Sequence, residues 1–310
     1  MALAQLAIKL VIKEEITMLK WCSAALVALV LPAWLAAGSV SAPDLAGLIH
    51  QGDQAYAQRF SIAADKPQEF FTAYLPLLRQ GIQAYQQAVP LLGTLPVQSQ
   101  AHVYDRLAQL DNELSKLLTK QAEIEPVLLA GKAAAIASMK LHPGFNEKNL
   151  VATLKFVDDV APLSWGANNW GTWLGFHPLQ GLSEVGQVQA MYQRAVAVNE
   201  GYWGGSPQNS LGSLLAGLGN LRGAKTHFER AIALDPDYLE NYVVYVQYFG
   251  FSHDLFSGAL TGVRQGQEQF VQDKLNFVLS TPIEPTHPLW SWIAKHEARE
   301  LLDQFHKFKG

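Results

Sequence analysis

The stretch from Tyr202 to Pro236, YWGGSPQNSLGSLLAGLGNLRGAKTHFERAIALDP, limits the folds open to this chain more than any other. Ala224, Phe228, Ala231 and Pro236 carry the spacing of the second helix of a helical-hairpin repeat of about 34 residues. Counting back on that repeat puts Leu211, Gly212 and Leu215 on the packing positions of the first helix. Each residue type has a physical reason. Gly212 and Ala224 are small where two helices cross closely, Leu215 and Phe228 fill the groove beside them, and Pro236 stops the helix. Ser206 is a good N-cap and Pro207 suits the first helical position.

The same small–aromatic–small spacing returns at Gly81, Tyr85 and Ala88, and Tyr192 and Ala195 occupy its last two positions. Between Pro43 and the end the chain is a succession of helical patterns broken by Gly, Pro and short polar runs, with almost no strand-like alternation. Asp44 is placed to cap a first helix running to about residue 64, and a second is predicted over about 68–90. Others are predicted over about 99–120, 124–140, 148–160, 163–176, 184–198, 238–249, 254–263 and 289–308. This predicts an all-α fold: roughly a dozen helices pairing as antiparallel neighbours in one tetratricopeptide (TPR)-like α-solenoid domain over residues 43–310.

The N-terminus reads differently. From Met18 the sequence MLKWCSAALVALVLPAWLAAGSVSA has one lysine, an apolar run and then small residues, the layout of a secretory signal peptide over residues 1–42. Met18 is then the natural start, and residues 1–17 are an upstream extension or a short amphipathic helix. The apolar run contains Pro32 and is at the lower limit for a spanning helix, so an uncleaved membrane anchor is the alternative. Cleavage after Ala42 meets the small-residue rule but leaves Pro43 directly behind the cut; a site near Gly38 or Ser39 avoids that. Cys22, the only cysteine, lies in this run, so cleavage removes disulfides, thiolate metal sites and cysteine nucleophiles from the product. A net charge of −4 gives no electrostatic argument for a nucleic-acid partner.

No HExxH, GxSxG, Walker A or GxGxxG pattern stands in a fitting context. His296 and Glu300 are one turn apart, but Lys295, Glu297 and Arg299 around them read as a solvated charged face. Asp158 and Asp159 cannot share one helix face, and His142, His177 and His287 each precede a proline, which suits loops. His227 flanks the Ala224–Phe228 stripe as packing or rim. No cofactor, metal or catalytic group is expected, and the chain reads as non-enzymatic.

The helix over about 163–176, LSWGANNWGTWLGF, is aromatic-rich and carries a polar handle. With Trp165 as origin, Asn169, Trp173 and Trp170 fall near 40°, 80° and 140°, on one side of the helix. Gly166 among them permits close approach to the backbone. The face is either core filling between hairpins or the aromatic wall of a cavity, with Asn169 as the amide that needs a partner if buried. Tyr202 and Trp203, before Gly204 and Gly205, extend the ligand-binding candidates. The double glycine suits either a tight turn or a surface that another backbone approaches.

Taken in order, LSWGANNWGTW, MYQRAVAVNEGYWGGSP, GAKTHFERAIALDPDYLENYVVYVQYF, HDLF and AKHEARELL resemble the TRAP transporter T-component (TatT) family over about residues 131–305. The resemblance implies an exported, all-α, non-enzymatic protein linked to tripartite ATP-independent periplasmic transporters. It further implies a homotrimer around a central pore, association with a periplasmic solute-binding protein, and delivery of a small hydrophobic ligand. Members are commonly lipoproteins; Cys22 lacks the small-residue run that lipid attachment needs, so retention of the apolar segment becomes the alternative tether. Two functions follow: a ligand-handling accessory of the transporter with an aromatic-lined cavity, or a periplasmic TPR scaffold that grips a protein or peptide. Aromatic and small residues on the inner faces favour the first.

Overall fold

The computed structural model describes residues 44–254 and 258–310. The signal-peptide or anchor reading of residues 1–42, with Met18 and Cys22, lies outside them, as does part of the HDLF stretch.

Asp44 opens α1 (Leu45–Gln58), its carboxylate accepting from the Ala46 amide at 3.1 Å. There follow α2 (Pro67–Ala88), α3 (Val97–Leu117), α4 (Gln121–Met139), the one-turn α5 (Leu150–Thr153) and α6 (Val160–Leu174). Then come α7 (Pro178–Asn199), α8 (Tyr202–Gly217), α9 (Leu221–Leu234) and α10 (Glu240–Gly250). A small antiparallel hairpin, β1 (Phe251–His253) and β2 (Leu260–Val263), precedes α11 (Glu268–Ser280) and α12 (Pro288–Lys309). The fold is all-α. Consecutive helices pack on one another from α1 through α12, except that α5 lies against α7 and α6 packs directly on α4. Beyond this chain order, α3 also packs on α6, α8 on α10, and α10 on α12.

The crossings occur where the small residues stand. A Cβ on Gly212 would lie 3.0 Å from the Phe228 ring and 3.2 Å from the Ala224 carbonyl, and Ala224, Phe228 and Ala231 are fully buried. The earlier copy repeats this: Gly52 of α1 receives the Tyr85 ring, which a Cβ would meet at 2.5 Å, and Gly81 and Ala88 are buried beside it. In the third copy Val188, Tyr192 and Ala195 of α7 are buried, with Val188 and Tyr192 packed on Gly171 of α6. An aromatic ring buried at each such crossing contributes about 1.5–3 kcal/mol.

Three stretches depart from the sequence reading. Residues 148–160 do not make one helix: a 3-10 turn (Glu147–Asn149), α5 and a second 3-10 turn (Leu154–Phe156) replace it. Asp159 instead caps α6, accepting from the Ala161 amide at 2.9 Å, so Pro162 sits in the first turn, where its missing N–H has no partner to lose. Of the helix expected over 254–263, residues 260–263 form strand β2 instead. Phe251 pairs with Val263 and Ser252 with Gly262, and β-branched Thr261 and Val263 suit a strand. Finally, α11 forms where no element was predicted, burying Val271, Leu275 and Val278.

Candidate functional site

The first turn of α8 has unusual backbone geometry, a kink within the helix. Trp203 has φ 49°, the one non-glycine residue with positive φ among those described, and Gly204 and Gly205 follow at 66° and 79°. Such a conformation in a bulky residue costs on the order of 1–2 kcal/mol. Both glycines are also close approaches: a Cβ on Gly204 would meet the Tyr238 ring at 2.4 Å, and one on Gly205 the Ala231 carbonyl at 3.0 Å. Asn241 of α10 fastens the turn, its Nδ2 donating to the carbonyls of Gly204 (2.8 Å) and Ala231 (3.2 Å). The two explanations for the double glycine therefore hold together. The helix resumes at Ser206 and Pro207.

The turn aims aromatic rings at α6. Trp165, 1% exposed, donates its indole N–H to the Tyr202 hydroxyl at 2.8 Å and meets the Trp203 ring edge-on at 5.4 Å. On its other side Trp165 stacks with Trp290 of α12 at 6.4 Å, and His287 packs against Trp203 at 4.6 Å.

The remaining candidates on α6 diverge. Asn169 is fully buried and finds partners in protein: Nδ2 donates to the Ala108 carbonyl at 2.8 Å and Oδ1 accepts from Asn112 at 3.2 Å. Gly131 of α4 leaves room for it, since a Cβ there would stand 2.4 Å from the amide. Trp170 donates to Glu184 at 2.7 Å while the Lys132 ammonium sits 3.4 Å above its ring. Trp173 stacks on His177 at 4.2 Å. The closeness permitted by Gly166 is used by Ala135 and Met191.

Between α3, α6, α7, α8, α10 and α12 lies a cavity of about 490 Å³, within the range of small-molecule sites. Trp165 and Trp290 wall one part of it, and Leu174, Val185 and Leu214 wall another. Leu182 and Leu218 also line it and are 80% and 53% exposed, which marks an apolar rim. Trp165 is the sequence candidate on its wall; Asn169, Trp170, Trp173, Tyr202 and Trp203 surround or support that wall without lining it. The α6 asparagine that faces the cavity is Asn168, whose Oδ1 accepts from Tyr192 (2.9 Å) and Ser210 (3.0 Å) and so ties α6 to α7 and α8.

Three charged residues also line the cavity and were missed: Lys116 of α3, Glu240 of α10 and Glu297 of α12. Glu240 accepts from the Tyr238 hydroxyl at 2.9 Å, and Lys116 Nζ is 5.7 Å from the Trp290 ring. Burial pushes the Glu297 carboxyl up to about 7, with the nearby Glu240 charge adding to the rise and Lys116 opposing it. Burial raises Glu240 too, against the same lysine. The expected solvated face of the last helix is thus corrected. Lys295 is buried and donates to the carbonyls of Val278 (3.0 Å) and Leu279 (2.8 Å) at the end of α11, while Glu297 reaches the cavity. The missed signal was a carboxylate at the i+7 position from Trp290, on the same helix face.

An all-helical protein whose successive hairpins enclose a ligand-sized, partly aromatic cavity is the class these features define. The family model of the TRAP transporter T-component matches residues 130–308, from the middle of α4 nearly to the end of α12, and the chain belongs to that family. No curated protein matches the chain. Among the described residues, no helix is long and apolar enough to cross a membrane.

Proposed function

We propose that this protein is a non-enzymatic periplasmic accessory of a TRAP-type transporter, with a TPR-like solenoid holding a small hydrophobic ligand in the cavity. In this reading it works with a periplasmic solute-binding protein and assembles as a homotrimer. It is exported by the N-terminal segment, or tethered by it if that segment is retained. The cavity of about 490 Å³ between α3, α6, α7, α8, α10 and α12 carries the reading, together with family membership. Trp165 contacts the ligand directly. Tyr202 and Trp203 fix the Trp165 ring, while Asn169, Trp170 and Trp173 hold α6 against α3, α4 and α7.

Native mass spectrometry of the full chain before and after organic extraction tests this. Loss of a discrete apolar mass from the wild type, and its absence in Trp165→Ala, are the expected results. A protein that carries no extractable mass but captures a peptide stoichiometrically would overturn them. One observation favours that second reading, the peptide-gripping scaffold: Asn168, Asn209 and Gln247 face the cavity, and inner-face amides suit extended backbone.

A further inference from the structure

We infer that the ligand is an amphiphile with a primary ammonium head set between Glu240 and Glu297 and an apolar tail running toward Leu174 and Leu218, an inference that rests on the cavity reading above. The head end of the cavity holds two carboxylates against one ammonium. Lys116 acts electrostatically on both glutamates, so its charge is already opposed and the cavity is left short of one cation. Glu240 accepts one bond, from Tyr238, and Glu297 has no donor among the described residues. Their pairing with a ligand N–H would be charge-assisted in a place of low dielectric, where such bonds are strongest.

A second set of atoms agrees. Asn209 lines the cavity at 6% exposure and its Oδ1 has no partner; Asn112 lines it at 1% exposure, and its Oδ1 is likewise unpaired. Both orphaned atoms are acceptors. Buried acceptors left unpaired are costly, and a donor-bearing head placed beside them removes that cost. Trp165, Tyr238 and Trp290 also line the cavity, and the Trp290 ring already has the Lys116 ammonium 5.7 Å from its centre, the kind of contact an aromatic ring makes with a cation. An anionic head would have Lys116 and the unpaired indole N–H of Trp290 to use, set against two carboxylates. Leu174, Val185, Leu214 and the exposed Leu182 and Leu218 also line the cavity, offer no polar atom to a head and suit a chain of methylenes.

The test is a titration of the full chain at pH 7.5 with decylammonium, decanol and decanoate, each below its self-association concentration, followed by calorimetry. Decylammonium is expected to bind at least about tenfold more tightly than decanol, the equivalent of one charge-assisted bond. In the Glu240→Gln/Glu297→Gln variant that preference is lost while decanol binding stays within about threefold, and an intact thermal transition confirms that the variant folds. Tightest binding by decanoate, or an ammonium preference that survives in the double variant, overturns the head assignment. Equal binding of decanol and decylammonium leaves the cavity reading standing and removes this one. If none of the three probes binds, the cavity reading itself fails and takes this assignment with it.

Discussion

Glu297→Gln in the ligand-free protein isolates the energetic consequence of placing a carboxylate in the cavity. The change keeps shape and removes charge. In the unfolded chain this carboxyl titrates near 4.5, and in the folded protein near 7. Between those values the folded chain holds a proton that the unfolded chain has released, so stability falls as pH rises through that window. Below it there is no difference, and above about pH 7 the full penalty is present. At about 1.4 kcal/mol for each pH unit separating the two values, the ceiling is about 3 kcal/mol. Water entering the cavity reduces this, and about 1–3 kcal/mol is expected at pH 8. For a domain of this size that corresponds to a Tm higher by about 2–10 °C in the variant. Thermal unfolding followed by circular dichroism at pH 5, 6, 7 and 8 reads the effect directly: the two melting curves nearly coincide at pH 5 and separate progressively toward pH 8. A separation that is the same at every pH, or a variant less stable than wild type at pH 8, would refute the argument, since either means that the Glu297 carboxylate is well solvated or well paired.

Other expectations concern the frame around the cavity. Gly204→Ala forces a Cβ onto the Tyr238 ring at a φ of 66°, so a loss above about 2 kcal/mol is expected in urea unfolding, whereas Gly93→Ala, with open space around it, serves as the near-neutral control. Arg59 is 1% exposed and pairs with Glu113, with Tyr74 donating to the same carboxylate at 2.7 Å. Arg59→Met strands that carboxylate and is expected to cost about 3–5 kcal/mol, and Arg59→Met/Glu113→Leu recovers much of it in a double-mutant cycle. Asn169→Leu removes the bonds to Ala108 and Asn112 and is expected to cost about 1–3 kcal/mol by chemical denaturation, with a further loss if the larger side chain displaces α4 at Gly131.

The helices were legible because their signals are local. The Gly212, Ala224 and Phe228 crossing, the Asp44 cap and the Gly81–Tyr85–Ala88 copy all rest on residues within two neighbouring helices. The β-hairpin was not, because strands of three and four residues are too short to carry a period of two. Nor was the start of α6, expected near residue 163, because a helix can open at Val160 and carry Pro162 within its first turn. The aromatic helix illustrates the limit at the site. Its angular arrangement placed Trp165, Asn169, Trp170 and Trp173 on one side, yet α6 is enclosed on several sides, by α3, α4, α7 and α8, and each side chain met a different neighbour. Lys116, Glu240 and Glu297 come together from three helices far apart in sequence, and nothing in the spacing of any one helix announces that meeting.

That meeting crosses a boundary. The family match begins at residue 130, within α4, so α3 lies outside it, while Asn112, Ser115 and Lys116 of α3 line the same cavity as Glu240 and Glu297. The apolar walls and the paired carboxylates thus belong to the shared part of the fold, and the one opposing positive charge is contributed by a segment that the shared part does not define. Exchange of a single side chain at the end of α3 can therefore reset the charge balance of the chamber while the crossings at Gly171 and Gly212 stay as they are. On the proposed ligand-binding reading, head-group preference is set at position 116 without any repacking of the hairpins that make the chamber.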